Sequence, residues 1–145
     1  MTEHTSDPAA LAAAVDEDDL RAYVLERRWF GAKSREVSSL TVLSATTARR
    51  IAPLLAICLV ETRFDTGTHE TYQLPLGFRP AAEGWSEEAI GEVDGWTVYD
   101  GAADPLLARE LVHLMRKGET LTNEDGRLEF RTVEEIGRAS CRERV

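Results

Sequence analysis

The sequence predicts an α+β fold in which a curved antiparallel sheet packs on an N-terminal helix, and three observations lead there. Apolar residues alternate with period two through Leu40 and Val42 and again through Tyr72, Leu74, Leu76 and Phe78, the signature of strands with one buried face. Turn residues, Asp65-Thr66-Gly67 and Asp94-Gly95, separate neighbouring runs, as tight hairpins require. Segments with helical spacing precede and follow this region.

Taken in order, Asp7-Pro8 supplies an N-cap and a first helical position. The Ala-rich run behind it has only Leu11 and Val15 as larger apolar groups, so residues 1–15 are expected to be disordered or to form a frayed helix. The acidic run Asp16–Asp19 then opens a helix carrying Leu20, Tyr23, Val24 and Arg27 on one face and closing at Arg27-Arg28 before Gly31, a charge order that complements the helix dipole. Strands are predicted around 36–46, 51–63, 69–78 and 89–100. The second, Leu54 to Val60, is apolar on both faces and is expected inside the sheet; Pro75 cannot donate a ladder hydrogen bond and marks an edge or a bulge in the third. The core is expected from Leu40, Val42, Leu55, Ile57, Leu59, Tyr72, Leu74 and Leu76. If the helix covers the other face of the central strand, Leu54, Ala56, Cys58 and Val60 take the place of its three. Residues 79–88 read as a polar loop. Asp104-Pro105 begins the best-defined helix, with Leu107, Leu111, Leu114 and Met115 on one face, Arg116-Lys117 in the last turn and Gly118 beyond it. Thr120–Thr122 and Leu128–Arg131 then flank Asn123-Glu124-Asp125-Gly126, a further hairpin whose apolar face, Leu121, Leu128 and Phe130, is expected to be incompletely covered.

The chain has 145 residues, about one domain, with 17 Lys+Arg against 26 Asp+Glu and a net charge of −9. An acidic surface repels phosphate backbones and anionic headgroups, so neither nucleic acid nor a membrane surface is expected as a partner. The longest apolar run, Ile51 to Val60, contains Pro53 and is half of the ~20 residues that span a bilayer. No secretory signal is visible in MTEHTSDPAA, and the cytoplasm is the expected compartment. Cys58 and Cys141, with His4, His69 and His113, show no zinc-ligand spacing. The four acids Asp16–Asp19 lack the following carboxylates that an oxygen cage would need. His113 lies off the apolar stripe of its helix and reads as solvent-facing.

The last ten residues, IGRASCRERV, carry no hydrophobic period and add Arg138, Arg142 and Arg144. With Glu135 they resemble the translation of a short-read sequencing adapter, so residues 136–145 are set aside as a non-native tail, and the natural chain is expected to continue past Glu135.

The densest group of bases and aromatics is Arg27-Arg28-Trp29-Phe30-Gly31-Ala32-Lys33-Ser34-Arg35. A phosphate loop would need glycine immediately before Lys33-Ser34 and again five residues earlier, where Ala32 and Arg27 stand. Its place after a helix and before a strand is also the reverse of that loop's. The favoured reading is structural, with Gly31 ending the helix and Trp29 and Phe30 pinning it onto the sheet. No glycine-rich nucleotide loop, nucleophile elbow or paired nucleophile and base is visible elsewhere.

Three motifs, Arg28-Trp29-Phe30-Gly31-Ala32-Lys33-Ser34-Arg35, Tyr72-Gln73-Leu74-Pro75-Leu76 and Val98-Tyr99-Asp100, occur in an order and spacing that resembles the N-terminal cap region of bacterial maltokinases. The resemblance covers roughly residues 17–135. It implies a cystatin-like cap over 16–103 and, from residues 104–135, a helix and first hairpin beginning the intermediate subdomain of a kinase related in fold to aminoglycoside phosphotransferases and protein kinases. For the complete enzyme it implies phosphate transfer from ATP to maltose, giving maltose 1-phosphate for α-glucan synthesis, with Mg²⁺ as metal and the kinase core joined in cis. The phosphate-covering loop, the ATP-pairing lysine and the catalytic and metal-binding carboxylates of such kinases are expected beyond this region. Accordingly no catalytic, cofactor-binding or metal residue is assigned, the motif residues are read as shape-determining, and the fragment is expected to be inactive. The alternatives are a free-standing, non-catalytic cap-like binding module and an unrelated interaction domain.

Overall fold

In the computed structural model, which describes residues 7–27, 36–123 and 126–130, five strands form one antiparallel sheet. They are β1 (Val37–Arg49), β2 (Leu54–Phe64), β3 (His69–Pro80), β4 (Ala89–Val93) and β5 (Trp96–Asp100), in spatial order β1-β2-β3-β5-β4. Helices α1 (Pro8–Ala13) and α2 (Glu17–Leu25) precede it; α3 (Pro105–Lys117) and a two-stranded hairpin, β6 (Thr120–Asn123) and β7 (Gly126–Glu129), follow. No helix among the described residues is long and apolar enough to cross a membrane. Trp29, Phe30, Gly31, Lys33 and the tail 136–145 lie outside the described residues.

The turns are those the sequence chemistry demands. Asp94 and Gly95 both have positive φ, 50° and 84°, which lets two residues join β4 to β5 with Val93 opposite Trp96. Asp104 caps α3, its carboxylate accepting the Leu106 N–H at 3.0 Å, and Gly118 ends that helix at φ 64°. Pro75 sits opposite Ile57 just before β5 begins to pair with β3 at Leu76, so it occupies an edge stretch of β3, as its missing N–H requires.

Register assigns the faces. Ala56, Cys58 and Val60 stand opposite Leu76, Leu74 and Tyr72, and directly opposed residues share a face. Leu54, Ala56, Cys58 and Val60 therefore join Leu40, Leu74, Leu76 and Phe78 in the core beneath α1 and α2. The first-choice core set is corrected accordingly. Leu55 and Ile57 lie on the opposite face with Tyr99 and Leu107, Leu59 is exposed, and Val42 and Tyr72 are only partly buried.

A second correction concerns the N-terminus. Instead of fraying, residues 8–13 form α1, in which Leu11 and Ala12 are fully buried against the sheet. The Asp7 carboxylate accepts from the Thr47 hydroxyl at 3.0 Å rather than capping the helix backbone, so a tertiary bond to β1 replaces the local one. Burial of Leu11 and Ala12 against the sheet holds a six-residue helix that is too short to persist alone.

Both faces of the sheet are thus covered, α3 and the hairpin lying on the side away from α1 and α2, with the hairpin reaching β1 through Asn123 and Thr46. Leu121, Leu128 and Phe130 of the hairpin segment are half-buried, the latter two against the Leu55–Tyr99–Leu107 cluster. Gly77 is what allows this packing: a Cβ there would lie 2.7 Å from Tyr99 ring carbons and 2.7 Å from Leu107 Cδ1. We expect Gly77→Ala to lower stability by about 1–3 kcal/mol through overpacking; an unchanged urea midpoint would show that the Tyr99 ring does not rest on that glycine.

Candidate functional site

Two polar networks meet at the end of β5, where successive residues point to opposite faces. On the α3 side, Tyr99 lies opposite Gly77 and its hydroxyl reaches over to donate to Asp104 Oδ2 at 2.5 Å. Arg79 donates to the same oxygen from Nε at 3.1 Å and from Nη2 at 3.0 Å. The other carboxylate oxygen caps α3. Asp104 is only 1% exposed. Trp85 completes the layer, its ring 4.7 Å from that of Tyr99 and under the Arg79 guanidinium at 4.6 Å, with its indole N–H donated to Glu87 O.

On the other face the Tyr23 hydroxyl lies 2.8 Å from Asp100 Oδ2 and 2.9 Å from Glu88 Oε1. Arg27 stacks on the Tyr23 ring at 4.3 Å and pairs with Glu88. Glu88 adopts φ 51°, a left-handed backbone that costs of order 1–3 kcal/mol for such a residue; its carboxylate contacts with Tyr23 and Arg27, and the Asp100 N–H donated to its carbonyl at 3.1 Å, hold it there.

The electrostatics of both networks favour holding over proton transfer. Burial would push the Asp104 carboxyl up, but the Tyr99 hydroxyl, the Arg79 guanidinium and the Leu106 N–H stabilise its anion and hold it below the ordinary range. Burial, then the bond to Asp104, pushes the Tyr99 hydroxyl up, with Arg79 opposing. Burial followed by Asp100 and Glu88 pushes Tyr23 up further. Both phenols therefore stay protonated and act as donors.

The residues weighed for chemistry in the sequence are dispersed. His113 is exposed on α3 and His69 exposed at the start of β3. Cys58 is buried in the core, where burial pushes its thiol up to about 12, far from the reactive thiolate range. Asp16 is the N-cap of α2, accepting the Asp18 N–H at 2.7 Å, and among the described residues no three His, Cys, Asp or Glu side chains converge as a metal would need. Lys33 and the first motif lie outside the described residues. Of the other two motifs, Tyr72–Leu76 lies on β3 and Val98–Asp100 on β5. The sequence reading missed Arg79, Trp85 and Glu88, all placed in a featureless polar loop, and it saw Asp104 only as a helix cap. No local signal in the sequence marks them, because Arg79 and Asp104 stand 25 residues apart and are brought together only by the fold.

The model of one family, the maltokinase N-terminal cap domain, matches residues 23–104. The chain belongs to that family. Within the cap domain the match begins at Tyr23 and ends at Asp104, so both networks fall inside it, and Tyr99 and Asp100 of the third motif bind the sheet to its two layers.

Asp104→Asn keeps the acceptor that caps α3 but removes the anion that Arg79 and Tyr99 require, and should cost about 3–5 kcal/mol at neutral pH. Because the folded-state pKa is depressed, the anion's contribution is complete above the unfolded aspartate value of about 3.9 and disappears as pH falls through the folded one. Denaturation curves of the two proteins should accordingly converge on acidification; a gap that stays constant to low pH would assign it to shape alone.

Proposed function

We propose that this chain is the N-terminal cap of an ATP-dependent maltokinase, a cytoplasmic enzyme that transfers phosphate to maltose, giving maltose 1-phosphate for α-glucan synthesis. The family match over residues 23–104 carries this reading. Phosphoryl transfer needs a cradle for the phosphates, a lysine and carboxylates that hold Mg²⁺. In the proposal these belong to a kinase core joined in cis, and the cap supplies a rigid platform for it. The use of these ions supports that division of labour: the buried Asp104 and the half-buried Arg79 pair with each other, Asp104 also accepting from Tyr99 and Arg79 also donating to Glu83, and the Asp104 charge is committed to fixing α3 on the sheet.

The experiment is a calorimetric titration of the purified chain with ATP and Mg²⁺, beside a phosphorylation assay with maltose. No saturable binding at physiological concentrations and no transfer are expected of the cap, and transfer is expected of the cap joined to the reading frame that follows the codon for Glu135 in the source genome. Clear ATP binding to the cap alone would contradict this placement and return Lys33 to consideration as a phosphate ligand. A natural stop codon without a kinase core would favour the free-standing binding module.

A further inference from the structure

The Tyr23–Asp100 bond does not end at β5. Asp100 Oδ2 faces the Tyr23 hydroxyl, while Oδ1 of the same carboxylate accepts the Ala102 N–H at 3.0 Å. That N–H belongs to the 3-10 turn Gly101–Ala103, whose Gly101 carbonyl accepts the Asp104 N–H at 3.2 Å. Asp104 in turn holds the first turn of α3, its carboxylate accepting from Leu106 N–H and its carbonyl from Ala108 N–H at 2.8 Å. There is little slack along the way: Gly101 is buried, and a Cβ on it would stand 3.1 Å from Leu55 Cδ1 and 3.4 Å from the Pro75 carbonyl. A turn wedged in this manner passes a displacement of Asp100 to Asp104 instead of absorbing it, since close-packed interiors transmit strain.

We propose that this path is a conformational relay through which contacts on the α2–β4 side set the stability of the first turn of α3 on the opposite face of the sheet. Its input end is open to solvent. A pocket of about 280 Å³ lies between α2 and the β4 edge, lined by Asp19, Tyr23, Glu26, Arg27, Glu88 and Ile90, so the donor of the first bond of the relay borders it. The output end is the start of the helix by which the chain leaves the sheet. The relay is a property of this chain alone and stands independently of the sugar-kinase reading.

Hydrogen exchange on the 145-residue chain tests it. Tyr23→Phe removes the donor at the input, and Asp100→Ala removes both acceptor oxygens, so that the Tyr23 and Ala102 bonds are lost together. Both variants should speed exchange of the Leu106 and Ala108 amides about tenfold, within the usual range of coupling between sites, relative to the amides of Ala56 and Cys58 in β2. Tyr72→Phe, which removes a hydroxyl bonded to Glu70 on β3, should leave α3 unchanged. Unaltered protection of Leu106 and Ala108 in both variants would overturn the proposal. Acceleration shared equally by β2 would overturn it as well, because it would report a general loss of stability.

Discussion

A single buried carboxylate organises the junction on which the fold depends. Asp104 is the last residue before α3 and is almost completely withdrawn from water, a position that an anion tolerates only when every lone pair it presents is engaged. Tyr99 from β5 and Arg79 from β3 supply those partners on one oxygen, and the helix backbone supplies the partner on the other. Each contributor comes from a different element. Docking α3 anywhere else would leave Asp104 charged and unpaired, so the requirement selects one orientation of the helix where apolar contact between Leu107 and the sheet would accept several.

The constraint propagates backward into the sheet. For the Tyr99 hydroxyl to reach Asp104, its ring must lie across β3, and only a residue without Cβ leaves room there; Gly77 fills that place in the register. The following residue, Asp100, necessarily faces the other way and meets Tyr23 of α2. The β5 hairpin, closed by Asp94-Gly95, thereby delivers two adjacent polar side chains to two different layers. A slip of one residue in the β3–β5 pairing would exchange them and leave both networks unpaired.

Much of this was legible in the sequence, for reasons that differ by element. The strands and α3 announce themselves because their signals are local: alternation over Tyr72–Phe78, Asp-Gly at 94–95, and Asp104-Pro105 with Gly118 framing a helix. The face of β2 was ambiguous because Leu54 to Val60 is apolar throughout, and only the pairing of Ala56 with Leu76 and Cys58 with Leu74 settles which side the helices cover. The α1 helix was undervalued because its stability is tertiary, arising from Leu11 and Ala12 against the sheet. The networks were the least legible part. Tyr23 with Asp100, and Arg79 with Asp104, are separated by many residues, and nothing in composition or period marks a side chain whose partner is brought to it by register. Val98-Tyr99-Asp100 stood out in the sequence as a motif, while the bonding partners of Tyr99 and Asp100 required the fold.

If the buried anion of Asp104 is what fixes α3 on the sheet, its ionisation must be favoured by the folded environment in spite of burial. Following the Asp104 carboxyl carbon by NMR as pH is lowered measures that balance directly. The account predicts a midpoint below the ordinary aspartate value of about 3.9, with the Leu106 and Tyr99 resonances shifting in the same step. A midpoint at or above that value would mean that burial outweighs Tyr99 and Arg79, and that α3 is held by apolar packing instead.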